Sequence, residues 1–244
     1  MLNFKAPHEY IFVPLDTPDI RRAIKIATTL EGLIGGIKIG KEFYTAHGPS
    51  GVKKIKEIGL PLFIDLKFHD IPNTVAGAVR STIHLNPAII NVHAQGGREM
   101  LTAAVNATIE ESGKIGTSKP LVLGVTVLTS MNNQDLKETG VNSTPLTQVK
   151  RLAALCQESG LDGVVCSASE IRPLRKICGN EFKLLTPGIR PIWASRDDQK
   201  RIMTPSEAIK QGADYLVIGR PIYGARNPVS AAKKIINEIA EVIS

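Results

Sequence analysis

The chain has 244 residues, 43% hydrophobic and 5% aromatic, and its 30 Lys and Arg against 23 Asp and Glu give a formal charge of +7. It has ample apolar material for a large core, no run near the roughly 20 apolar residues that cross a bilayer, and neither the basic clusters nor the aromatic–basic interleaving that hold nucleic acid. The positive excess suits an anionic small-molecule substrate. MLNFKAPHEY at the start lacks the apolar stretch and cleavage site of a secretory signal, so a cytoplasmic protein is expected.

Short apolar runs of strand length recur along the chain: YIFVPLD (10–16), GGIKIG (35–40), PLFIDLK (61–67), AIINVHA (88–94), PLVLGVTVL (120–128), DGVVCSA (162–168), KLLTPGI (183–189) and DYLVIGR (214–220). Amphipathic stretches such as TPDIRRAIKIATTL (17–30) and NTVAGAVRSTIHL (73–85) lie between them. Thr17 and Pro18 read as a cap followed by proline, and Lys53, Lys54 and Lys56 sit on a short helix beside Glu57 as a solvated face. In TPSE, Thr204, Pro205 and Glu207 combine a capping box with proline at the first helical position. Cys156, Cys166 and Cys178 have no metal-binding spacing and are expected to be buried free thiols.

Eight strands alternating with helices require parallel pairing through helical crossovers. That count over 244 residues predicts an α/β protein, a single-domain (β/α)8 barrel spanning 1–244. An open doubly wound sheet is the rival, but the first strand is not followed by its GxGxxG turn.

Alternate residues of a strand point to opposite faces. Ile11, Val13 and Leu15 therefore share a face and leave Asp16 opposite; Ile37 and Ile39 oppose Lys38. Leu62, Ile64 and Leu66 oppose Asp65 and Lys67, and Ile90 and Val92 oppose Asn91 and His93. If the aliphatic faces meet the helices, these polar groups end four successive strands at the rim where barrel active sites lie. Asp65 and Lys67 would stand roughly 6–7 Å apart at their bases, with Lys38 approaching Asp65 from the next strand. Alternating signs keep each group ionised despite desolvation, which suits proton transfer or stabilisation of developing charge. His69 reads as a loop residue and His93 as a structural hydrogen-bonding one. No Cys/His/Asp grouping has the spacing of a transition-metal site, although carboxylates holding Mg²⁺ stay open on the residues alone.

The second half carries TPGIRP (186–191) and IGRP (218–221), placed after the seventh and eighth strands where barrels frequently bind phosphate. Gly188 and Gly219 would admit an anion close to the backbone, and Arg190 and Arg220 would pair with its oxygens. The long connection 189–203, with the chain's one tryptophan, Trp193, is expected to act as a lid.

DLKFHDIPNT (65–74), together with LD (15–16), IKIG (37–40), NVHAQGGREM (91–100), TVLTSM (126–131), TPGIRP and IGRP, resembles the bacterial form of the orotidine 5′-phosphate decarboxylase family over essentially the whole chain. The resemblance implies decarboxylation of orotidine 5′-monophosphate to UMP in pyrimidine biosynthesis. It implies no metal and no organic cofactor, and a homodimer with sites at the interface. It implies that Lys67 donates the proton to C6, that Asp65 and Lys38 belong to the same charged array, and that Lys38 and Asp16 meet the ribose. By the same resemblance Asp70, Ile71 and Thr74 enter the partner subunit's site, Thr129 meets the pyrimidine, and Arg190, Gln199, Gly219 and Arg220 surround the phosphate or its closing loop. Gln95 and Tyr223 depart from the family's usual Ser and Thr. Relatives with a similar DxKxxD strand, 3-keto-L-gulonate 6-phosphate decarboxylase and hexulose-phosphate synthase, use Mg²⁺ and an enediolate; FHDIPNT and the segment from PGIRP to Gln199 favour the nucleotide enzyme. A non-catalytic binder of phosphate ligands would not need the charged array of the first half.

Overall fold

The computed structural model describes residues 6–194 and 203–243. Its strands are β1 (Ile11–Pro14), β2 (Gly36–Ile39), β3 (Leu62–Phe68), β4 (Ile89–His93), β5 (Leu121–Val125), β6 (Gly163–Val165), β7 (Lys183–Pro187) and β8 (Tyr215–Val217). They follow one another in chain order around a closed barrel, with parallel pairing. All eight apolar runs therefore form strands, most of them shorter than the run, while β3 continues one residue past its run to Phe68. Every residue of β1 and β2 is buried, as expected where strands are covered on both faces.

Among the described residues ten α-helices connect and flank the strands: α1 (Ile20–Thr29), α2 (Lys41–Lys56), α3 (Pro72–Ile83), α4 (Gly97–Ile115), α5 (Asn133–Glu138), α6 (Pro145–Glu158), α7 (Ile171–Cys178), α8 (Pro205–Lys210), α9 (Arg220–Tyr223) and α10 (Pro228–Ile243). By contact the chain forms two compact units, Met1–Leu66 with Thr186–Ser244, and Lys67–Leu185. In the first unit, α8 starts as its sequence dictates. Thr204 accepts from the Glu207 amide, the Glu207 carboxylate accepts from the Thr204 amide, and Pro205 occupies the first turn.

The start of α1 differs from the expected cap. Asp19, not Thr17, caps it, its Oδ1 accepting from the Arg21 and Arg22 amides at 2.9 and 3.2 Å. Thr17 lies two residues earlier, buried, with its hydroxyl accepting from the Asp19 amide at 3.2 Å. A carboxylate satisfies two orphan amides and favours the positive end of the helix, so it takes the cap position. The lysine-bearing helix is also longer than expected: α2 has 16 residues and is kinked at Gly48, whose φ of 57° precedes Pro49.

In the second unit, α3 has Pro72 in its first turn and buries Val75, Ala76, Val79, Thr82 and Ile83 along one stripe. α4 ends at Gly116 in the left-handed conformation. The three cysteines are free and buried, and burial pushes the Cys156 thiol up to about 12.

Candidate active site

In the first unit the charged groups are set by strand register. Lys38 pairs with Pro14 on one side and Phe63 on the other. Asp16 and Asp65 each follow those partners by two residues, so both lie on the Lys38 side of the pleat, one step further along. The long lysine side chain spans that step. Its Nζ sits 3.3 Å from Asp16 Oδ1 and 3.1 Å from Asp65 Oδ2. The side chains of Lys38 and Asp65 are each only 11% exposed, whereas that of Asp16 is 44% exposed. Lys38 and Asp65 thus form a desolvated pair whose attraction is little screened, and Asp16 extends it toward solvent.

Gly40 makes room for this array. A Cβ there would stand 2.9 Å from Asp16 Oδ1 and 3.0 Å from Lys38 Nζ. Its φ of −92° would suit any residue, so the need is space and not backbone freedom. Nothing in the strand pattern pointed to Gly40; the packing of Asp16 and Lys38 against it reveals it.

The same unit carries the two arginines. Arg190 is buried, and its amide donates to the Met203 carbonyl at 3.1 Å, joining the two described ends of the long connection. Its Nε is buried without a hydrogen-bond partner among the described residues. A buried guanidinium donor left unpaired is costly, and an anionic ligand is the natural partner for it. Gly188 has a φ of 78°, and Gly219 precedes α9, whose first residue is the exposed Arg220.

Gly219 is packed closely: a Cβ there would lie 3.0 Å from Pro14 Cγ and 3.1 Å from Tyr223 Cε1. Tyr223, noticed in the sequence only as a departure, thus lies against this turn. Burial, and then the Asp16 carboxylate, push its phenol pKa up, while Arg220, Arg22 and Lys38 oppose the shift. Trp193 is 44% exposed, with Lys234 Nζ 5.5 Å from its ring centroid. Gln199, with the rest of the expected lid between residues 195 and 202, lies outside the described residues.

In the second unit Lys67 departs from the strand pattern. The expectation of simple alternation through the end of β3 fails here, because Lys67 has a φ of 55°. Lysine in the left-handed region inside a strand is strained, and strain of this kind collects at functional sites. Its amide donates to Asn91 Oδ1 at 2.8 Å. The sequence marked Asn91 only as a polar residue facing away from Ile90 and Val92; the structure makes it the acceptor for Lys67. Leu66, expected to be as buried as Leu62 and Ile64, is only partly so.

Beyond Lys67, His69 is exposed and its ring centroid lies 5.3 Å from that of the partly buried His93, so the two histidines pack on each other. Asp70 is exposed and its Oδ1 accepts from the Ile71 amide at 2.7 Å. Ile71 is 67% exposed just before α3, and Thr74 is exposed in its first turn. Thr129 is exposed in the turn after β5, and Gln95 is exposed between β4 and α4.

Eight parallel strands, with a buried lysine held between two strand-end carboxylates, define a (β/α)8-barrel enzyme. Residues 9–235 match the model of the orotidine 5′-phosphate decarboxylase / HUMPS family, and the chain belongs to that family. It is 54% identical over 230 residues to orotidine 5′-phosphate decarboxylase of Rhodospirillum rubrum, covering 94% of this chain and 93% of that one. It is 49% identical over 233 residues to the protein of the same name from Moorella thermoacetica, covering 95% and 92%. Among solved structures, orotidine 5′-phosphate decarboxylase from Lactobacillus acidophilus superposes with a TM-score of 0.84 at 34% identity, over 94% of this chain and 98% of that one.

Proposed function

We propose that this carboxy-lyase converts orotidine 5′-monophosphate to UMP in de novo pyrimidine biosynthesis, using its own Lys and Asp residues and no metal or organic cofactor. The observation that carries the reading is the Asp16–Lys38–Asp65 array, its Lys38–Asp65 pair buried, in a chain about half identical to relatives of that name. The buried Nε of Arg190, without a partner among the described residues, supports a phosphate-bearing substrate. Among the described residues no helix is long and apolar enough to cross a membrane, and we place the enzyme in the cytoplasm as one barrel domain per subunit.

In this reading Arg190, Gln199, Gly219 and Arg220 hold the phosphate, Asp16 and Lys38 the ribose, and Thr129 the pyrimidine. The C6–carboxylate bond breaks, CO₂ leaves, and the bonding pair stays on C6 in an in-plane orbital that the ring does not delocalise. The Lys67 ammonium stabilises that charge and gives its proton to C6, becoming a neutral amine that solvent reprotonates. Asp65 stands against the departing carboxylate, and Lys38 keeps Asp65 ionised. Binding energy from the remote phosphate organises the site for this step.

The enzyme acts as a homodimer in which Asp70, Ile71 and Thr74 complete the partner's site; their exposure supports this, above all the large apolar surface of Ile71. Purified protein stripped with EDTA should convert orotidine 5′-monophosphate, followed by ultraviolet absorbance, as fast as untreated protein. Loss of turnover restored by Mg²⁺ would instead favour the enediolate chemistry of the keto-gulonate-phosphate relatives. Mixing inactive Asp70→Ala and Lys67→Ala subunits should recover about a quarter of wild-type activity, since half of randomly paired dimers carry one intact site. No recovery after confirmed subunit exchange would show that Asp70 serves its own subunit.

A further inference from the structure

Asn91 is an odd choice for its place. It sits in the middle of β4 between Ile90 and Val92, pairs in register with Leu123, and is fully buried. An aliphatic residue would suit such a strand better, and a buried amide is tolerated only where hydrogen bonds satisfy it. Its Oδ1 accepts, at 2.8 Å, the amide of Lys67, alone among the described strand residues in having a left-handed backbone. In a regular parallel strand φ is near −120° and the amide faces a neighbouring backbone carbonyl. At a φ of 55° the amide is turned, and a side-chain acceptor takes the carbonyl's place.

We propose that Asn91 is a positioning residue: its buried side-chain carbonyl holds Lys67 in the left-handed conformation, and that conformation sets the direction in which the ammonium leaves the strand. The inference rests on the reading of Lys67 as proton donor. A lysine side chain has four rotatable bonds, so its direction is defined only if its root is fixed. The Asn91 bond fixes the root from a neighbour that is itself immobilised by complete burial. Removing it lets the backbone at residue 67 relax toward ordinary strand geometry, which re-aims the side chain without altering its chemistry.

The test is Asn91→Leu, of the same branched skeleton but larger and with no acceptor, with Asn91→Ala as a second, less crowded variant. Either should lose about 100-fold in kcat, the scale of a misplacement near 1 Å, while KM for orotidine 5′-monophosphate stays within a few-fold. In a Lys67→Ala background the same substitution should cost nothing further, because the group it positions is gone. Wild-type kcat in a folded Asn91 variant, an equal loss in both backgrounds, or a loss confined to KM would each overturn the proposal. If neither variant folds, amide exchange in the wild-type protein decides: strong protection of the Lys67 amide is expected, and exchange within minutes would refute the bond. An active Lys67→Ala enzyme would refute the reading of Lys67 itself, an outcome separate from any result on Asn91.

Discussion

Lys38 and Lys67 are both strand lysines in a charged stretch of sequence, but they are held in different ways. Lys38 lies in regular β2 and is fixed from its tip: two carboxylates within 3.3 Å grip its ammonium, and pairing register alone brings them there. Lys67 is fixed from its root, by a strained backbone whose amide is taken up by a buried side chain. In the proposed reaction Lys38 serves as a fixed charge, which the first arrangement suits, and Lys67 gives its proton away, which a side chain directed from a fixed root suits.

The contrast can be broken at either lysine. Lys38→Ala removes the cation 3.1 Å from the buried Asp65 carboxylate. Activity should fall by about 100-fold through loss of fixed charge, and denaturant unfolding should show a loss of stability, because a buried carboxylate gives up a close cation. A variant as stable as wild type would mean that Asp65 is held by its other surroundings and that Lys38 is not its anchor. At Lys67 the effect on stability should run the other way. Lys67→Gly should be more stable than Lys67→Ala by about 1 kcal/mol, because glycine adopts a φ of 55° without strain. Inside a strand glycine is ordinarily the weaker residue, so the usual ranking in melting experiments would show that the backbone at 67 carries no strain.

Much of the fold was legible because parallel strands buried on both faces are written as continuous Val, Ile and Leu runs, and eight such runs are difficult to arrange otherwise. The Lys38 array was legible for a related reason: alternation fixes the face of Asp16, Lys38 and Asp65, and the register needs only adjacent strands. Thr17 and Asp19 flank the same proline and both can cap a helix, so the pattern alone did not separate them. The left-handed turn of Lys67 was invisible because a hydropathy pattern records which residues are apolar and says nothing of φ at a non-glycine residue. Asn91 did leave a signal, an amide in the middle of an aliphatic strand that had to find a partner, but its partner was a backbone group, which the sequence cannot mark. Tyr223 left only a mismatch with the family's usual residue; its contact with the Gly219 turn is a matter of packing.

The central claim, that Lys67 delivers the proton to C6, is tested most directly by turnover of orotidine 5′-monophosphate by purified Lys67→Ala, with circular dichroism and melting to confirm that it is folded. The account predicts a loss of kcat of at least about 10⁴-fold, the upper range for a general acid, since the same ammonium also stabilises the developing charge. Turnover by the folded variant at the wild-type rate would contradict it.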